Sequence, residues 1–281
     1  MTTPRPLELP ERKVERILLD YPVRSRPRHG WGRPDHPGLV RILREGRERY
    51  RRLLLEFASH LDRLQRIQVE GSPDDGEPSW INNYYPGLDS VALYGIVAGS
   101  GARTYMEVGS GNSTKFARRA VRDLNLETRI VSIDPHPRAA VDALCDEVIR
   151  QPLEDVDPTV VDRLQPGDVF FIDGSHRVFM NSDVAAAFLD FLPRLKPGIH
   201  VHVHDIWIPS DYPPDWASRF YSEQYLLAAQ LLAGATAFEV EFPCWYVCQD
   251  EELSQAIAPL WELPHMARVE RHGCSFWLLT S

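Results

Sequence analysis

The run Glu107-Val108-Gly109-Ser110-Gly111-Asn112-Ser113-Thr114 constrains this chain more than any other stretch. An apolar segment, residues 104–108, leads into it and a helical pattern, 114–124, leaves it. Strand, glycine turn and helix start thus come in the order that brings backbone close to a ligand. Gly109 and Gly111 lack the β-carbons that would hold a ligand off. The dinucleotide pattern G-x-G-x-x-G needs glycine at 114, where Thr114 stands, and no G-K-[ST] closes a phosphate-binding loop. A glycine turn also serves purely structural ends, so this one acquires meaning only from what accompanies it.

From about Trp80 onward, strands and helices alternate at the spacing of βαβ units, which predicts an α/β fold. After the first strand and helix come a strand at 129–133, a short helix at 141–144 and a weak strand around Val148. A strong strand at 168–172, a helix at 182–192, a strand at 199–204 and a helix at 223–232 follow. Late strands occupy 237–242 and 274–279.

Residues 1–79 read as an extension to a domain spanning 80–281. Pro22, Pro27, Pro34 and Pro37 make 22–37 an irregular arm. Leu43, Tyr50, Phe57 and Leu64 then recur every seven residues, with Leu54 and Leu61 beside them, as one apolar helical stripe. The other face carries Arg41, Arg44, Arg49, Arg51 and Arg52, interrupted by Glu45, Glu48 and Glu56, which reads as a solvated face. The stripe could serve as a lid or join two copies in a homo-oligomer, but packing on the protein's own core is the expectation. Residues 70–79 have linker composition.

A length of 281 residues allows one large domain, or one domain and an extension. The net charge of -9 argues against general nucleic-acid binding, which needs Lys and Arg, and against an anionic membrane surface. Cys145, Cys244, Cys248 and Cys274 are too few and scattered for a disulfide framework; Cys244 and Cys248 lack a second close pair for a zinc site, so reduced, buried thiols are expected. The start, Met1 to Pro6, has no apolar signal core, and the greasy stretch 225–238 is too short to span a bilayer and reads as a buried core helix. A cytoplasmic protein with a small-molecule substrate is the expectation.

Four strand ends carry capable residues. The glycine turn is the first. Asp134, ending Ile130-Val131-Ser132-Ile133-Asp134, could cap a helix or form a turn before Pro135, but together with the glycine turn a ribose-binding role is the better reading. Asp173 and His176 emerge from Phe170-Phe171-Ile172 and are costly to bury unpaired, so a cleft is expected there. Asp173 could ligate a cation or hold an ammonium, and His176 suits a general base. In Ile199-His200-Val201-His202-Val203-His204-Asp205, alternation sends three imidazoles to one face. They span about 13 Å at the standard strand rise, too far for one ion, so His200 and His202 read as hydrogen-bonded core residues. His204 and Asp205 can meet Asp173. The aromatic segments 80–85 and 207–216 are candidate covers.

With these motifs in place, residues 80–281 resemble class I S-adenosylmethionine-dependent methyltransferases, in particular the small-molecule O-methyltransferase branch with catechol-type and natural-product sugar enzymes. E-V-G-S-G-N-S-T, S-I-D-P, F-F-I-D-G-S-H and H-V-H-D-I occur in that family's order. The resemblance implies a Rossmann-like seven-stranded, mostly parallel sheet with helices on both faces and one antiparallel strand near its edge. It implies that Glu107, Gly109 and Gly111 line the methionine part of S-adenosylmethionine, with Asn112 and Ser113 at the helix start and Asp134 on the ribose. It further implies a divalent metal on Asp173, His204 and Asp205. The histidine there departs from an all-oxygen set and suits Mn²⁺, Fe²⁺ or Zn²⁺ better than Mg²⁺. His176 stands where catechol-type relatives carry a lysine base. Rival readings are an enzyme of another reaction on this fold, such as a hydroxylation-pathway relative, and a non-catalytic cofactor-binding scaffold. An NAD-dependent oxidoreductase is a third, which Thr114 opposes.

Overall fold

The structure is a computed structural model that describes residues 19–72, 75–137 and 140–281; Met1 to Pro6, read above for a signal core, lie outside them. One sheet contains β1 (Thr104–Val108), β2 (Arg129–Ile133), β3 (Glu147–Ile149), β4 (Val169–Ile172), β5 (His200–Val203), β6 (Phe238–Pro243) and β7 (Phe276–Thr280) in the order β3-β2-β1-β4-β5-β7-β6. Strands β1 to β5 pair in parallel, while β7 runs antiparallel to both β5 and β6. This is the seven-stranded, mostly parallel sheet expected. All four residues of β4 are buried, as a central parallel strand covered on both faces requires. The chain turns back between β1 and β4, and crevices for ligands open at such switch points.

The extension folds as α1 (Pro37–Glu45), α2 (Arg47–Ala58) and α3 (Leu61–Leu64) rather than one long helix. The break falls at Gly46, where any side chain would overlap the Tyr50 ring. The apolar stripe persists across the break: Leu43, Tyr50, Leu54, Phe57 and Leu64 are buried in the same core as the sheet. The Phe57 ring meets Phe242 of β6 at 5.2 Å between centroids. It also fills the space left by Gly95 in α4 (Gly87–Gly99), a helix the sequence reading did not mark. Part of the basic face is met within the chain, Arg49 by Glu239 and Arg51 by Glu252, with the neighbouring Arg47 on Asp250, while Arg41, Arg44 and Arg52 are exposed. Exposed pairs of this kind contribute little stability.

Helix α5 (Asn112–Asp123) starts two residues before the expected 114, because the Thr114 hydroxyl accepts from the Gly111 N–H at 3.0 Å and fixes the helix start at the glycine. The expected helix at 182–192 is α6 (Asp183–Ala186) followed by a widened turn at Ala187–Phe191 and a tight one at Leu192–Arg194 containing Pro193. The stretch 225–238 is not a core helix. Its helical part, α7 (Glu223–Leu232), leaves Tyr225 and Leu232 exposed and buries Glu223, Gln224 and Leu227. Helix α8 (Cys244–Gln249) follows β6. Among the described residues, no helix is long and apolar enough to cross a membrane.

Candidate active site

Beyond the carboxyl ends of β1, β2 and β4 lies a cavity of about 750 Å³. The glycine turn from Gly109 to Ser113, Asp134 and Asp173 all line it. Gly109 adopts φ +80°, and a side chain on it would overlap the Asp173 carbonyl. The Asp173 N–H in turn donates to Val108 O at 2.9 Å, so the ends of β1 and β4 are clasped together. Asp134 has two tasks visible in the fold: Oδ2 accepts from Ser110 N at 2.8 Å and Oδ1 from His136 N at 2.7 Å. It thereby ties the glycine turn to the end of β2 while still facing the cavity.

Glu107 is fully buried and does not line the cavity. It accepts from Tyr105 Oη at 3.0 Å, from Ser113 Oγ at 3.1 Å and from the Thr114 hydroxyl. Burial lifts its carboxyl to about 7, although the three hydroxyls pull the other way. Thr114, the residue that breaks the dinucleotide pattern, therefore links Glu107 to the helix start.

Beneath the cavity floor, four predicted residues converge. His176 Nε2 lies 3.3 Å from Asp173 Oδ1 and 3.3 Å from Asp205 Oδ2, and its Nδ1 is 3.0 Å from Glu223 Oε2 of α7. His204 Nδ1 lies 3.5 Å from Asp173 Oδ1 and 3.7 Å from Asp205 Oδ1. His176 and Asp205 both adopt left-handed backbone, φ +60° and +55°. Conformations of this sort cost about 1–3 kcal/mol and persist where the surroundings enforce them. Burial would discharge His176, but Asp205, Asp173 and Glu223 outweigh it and hold the imidazole protonated well above its ordinary range. Burial likewise opposes the Asp173 anion, yet His204 and His176 keep its carboxyl well below the usual range.

This geometry divides the expected roles. Asp173, with its side chain 31% exposed, reaches the cavity; His176, at 6%, does not. Both ring nitrogens of His176 face carboxylates, so it is not presented to a substrate as a free base. Asp173, His204 and Asp205 do come together, but the His176 ring stands between the two carboxylates where a shared cation would sit. His202 is a core residue, its Nε2 on Ser275 Oγ at 2.7 Å, and half-buried His200 bonds Glu241 at 2.9 Å. Of the two candidate covers, Ser79 and the segment from Ile81 to Tyr85 wall the cavity, joined by Phe179 and Arg177. The loop at 207–216 does not line it: Trp207 packs instead on Trp31 and Trp245, with centroids 5.6 and 4.6 Å away.

Residues 106–206 match the family model of a methyltransferase domain, a span from β1 to just past β5 that carries every cavity residue named at the strand ends. Over that span, and in the order of its seven strands, the chain is similar to a methyltransferase domain. Among solved structures it is similar to the O-methyltransferase TomG from Streptomyces achromogenes, a protein of tomaymycin synthesis in complex with SAM (16% identity, 88% of this chain and 91% of that chain, TM-score 0.41). It is also similar to an O-methyltransferase from Bacillus cereus in complex with SAH (16% identity, 88% and 92%, TM-score 0.40). A putative methyltransferase from Thermobifida fusca YX compares at 14% identity over 71% of this chain and 85% of that chain, TM-score 0.42. No curated protein matches it.

Proposed function

We propose that this protein transfers the methyl group of S-adenosylmethionine to a hydroxyl of a small molecule, a sugar or an aromatic natural product. The observation that carries the reading is one cavity shared by the glycine turn, Asp134 and Asp173. The donor set fits the cofactor: exposed backbone at Gly109 and Gly111, a helix start at Asn112 and Ser113, and an acid at Asp134 for ribose hydroxyls. S-adenosylmethionine, when bound, supplies an electrophilic sulfonium methyl. Asp173 accepts a hydrogen bond from the acceptor hydroxyl, orients its oxygen and takes up its proton on the carboxylate as the methyl group is transferred. His176 positions that carboxylate and balances its charge. Tyr84, Tyr85 and Phe179 exclude water, and aligning two reactants in a dry site supplies much of the acceleration such a transfer needs.

A divalent cation on Asp173, His204 and Asp205 is a second reading, favoured by the convergence of those side chains and opposed by the His176 ring between them. Full, EDTA-insensitive activity in Asp173→Asn would dispose of both the cation and the Asp173 role. The cofactor itself is tested by calorimetric titration of the purified chain with S-adenosylhomocysteine and with NADH. Saturable binding of S-adenosylhomocysteine alone is expected, and binding of NADH alone would overturn the proposal.

A further inference from the structure

On the far side of His204 from Asp173 lies a second cluster, fully buried and drawn from three distant parts of the chain. Asp89 sits in the first turn of α4, His204 just after β5, and Cys274 just before β7. His204 Nε2 is 3.3 Å from Asp89 Oδ2, Cys274 Sγ is 3.6 Å from that same oxygen, and Sγ is 3.7 Å from His204 Nε2. A triangle with those edges has its centre about 2.0 Å from each corner, while Zn²⁺ takes nitrogen and carboxylate oxygen at roughly 2.0–2.2 Å and thiolate sulfur at roughly 2.3 Å. An ion slightly above the plane of the three atoms meets all three distances.

Hydrogen bonding alone leaves this cluster poorly explained. The Cys274 sulfur faces Asp89 Oδ2, His204 Nε2 and, at 3.4 Å, Asp205 Oδ1, yet a thiol has one proton to give. Asp89 is anchored independently, because Oδ2 accepts from Cys274 N at 2.9 Å and Oδ1 from Ser275 N at 2.8 Å. Besides the lone pair that takes the Cys274 N–H, Oδ2 has a second one for a further partner. The other ring nitrogen of His204 faces Asp173 and Asp205, and metal-ligating histidines characteristically donate their second N–H to a carboxylate.

We propose that Asp89, His204 and Cys274 form a binding site for a thiolate-preferring divalent cation, Zn²⁺ or Fe²⁺, rather than Mg²⁺. The site clamps α4, β5 and β7 together and fixes His204 so that Nδ1 carries its proton toward Asp173. None of its three ligands lines the cavity, so the ion is structural, and it stands whether or not the chain transfers methyl groups.

The test strips the purified full-length protein of metal with a chelator and titrates it with Co²⁺, whose bond to thiolate gives a near-ultraviolet charge-transfer band. A band saturating at about one ion per chain is expected, lost in Cys274→Ala and retained in Asp173→Asn. Cys244→Ala must also retain it, since that thiol too hydrogen-bonds Asp89. Absence of the band in the wild type, or its survival in Cys274→Ala, overturns the proposal. If Cys274→Ala does not fold, single alanine variants of Cys145, Cys244 and Cys248 decide. All three must keep the band, and its loss from any one overturns the assignment.

Discussion

The carbonyl of Asp173 occupies the volume that any side chain on Gly109 would need, so the turn after β1 and the end of β4 exist in this arrangement only because residue 109 is glycine. The same residue adopts φ +80°, which L side chains disfavour. Gly109→Ala therefore combines backbone strain of about 1–3 kcal/mol with a backbone collision. The expected result is a lowered melting temperature and at least tenfold weaker binding of S-adenosylhomocysteine in calorimetry. Wild-type values for both would show that the clasp between the two strands is dispensable.

Glu107 gives a pH dependence with a definite sign. Burial raises its carboxyl from 4.5 to about 7, so the folded state binds the proton more tightly than the unfolded chain. The associated stability is complete below about pH 4.5 and is lost as pH rises through 7. The change across that window is on the order of 3 kcal/mol. Glu107→Gln cannot titrate and should gain on the wild type between pH 5 and pH 8 in urea denaturation. A constant difference between the two proteins over that range would contradict the assignment.

His176 is the positive centre among Asp173, Asp205 and Glu223. Removing one partner of a buried ion pair leaves uncompensated charge and costs about 3–5 kcal/mol. His176→Ala should therefore melt on the order of 10 °C below wild type, given roughly 2–4 °C per kcal/mol for a protein of this size. A variant that melts normally but turns over nothing would instead return His176 to the role of a direct proton acceptor.

The extension offers a fourth measurement. Phe57 lies against Phe242 and beside Gly95, wholly inside the common core. Phe57→Ala should cost about 3–5 kcal/mol in chemical denaturation, with a single transition and unchanged cofactor affinity in the remaining folded protein. Two separated transitions would mean that residues 37–64 fold apart from the sheet.

What could be read directly from the sequence was what local pattern encodes. The apolar runs of β1, β2 and β4 and the glycine turn announce themselves, because strand, turn and helix chemistry lie within a few residues of one another. Helix α4 escaped because it is buried nearly all round, from Gly87 to Val97, and so shows no amphipathic stripe to find. With it escaped Asp89, whose significance depends on His204 and Cys274, more than a hundred positions away. Glu223 was assigned to its helix, but nothing nearby marks it as the partner of His176, 47 residues earlier. The cysteine spacing carries no trace of the surroundings of Cys274, whose neighbours Asp89 and His204 come from helix α4 and from the end of β5. Roles followed the same rule. The position of His176 at a strand end was legible, while the three carboxylates that occupy its nitrogens were not.

Strand β7 separates β5 from β6, and β6 pairs with nothing else in the sheet. During synthesis, then, β5 is produced some seventy residues before β7, which among the described residues alone covers its outer edge, and β6 waits unattached. Until residues 276–280 arrive, the backbone of His200–Val203 is an open template on which a second nascent chain could pair. Cys274 reaches His204 only by that same insertion. Completing the sheet and completing the Asp89, His204 and Cys274 cluster are therefore one event, so a chain that stalls short of it fails at both and is exposed to aggregation rather than merely inactive.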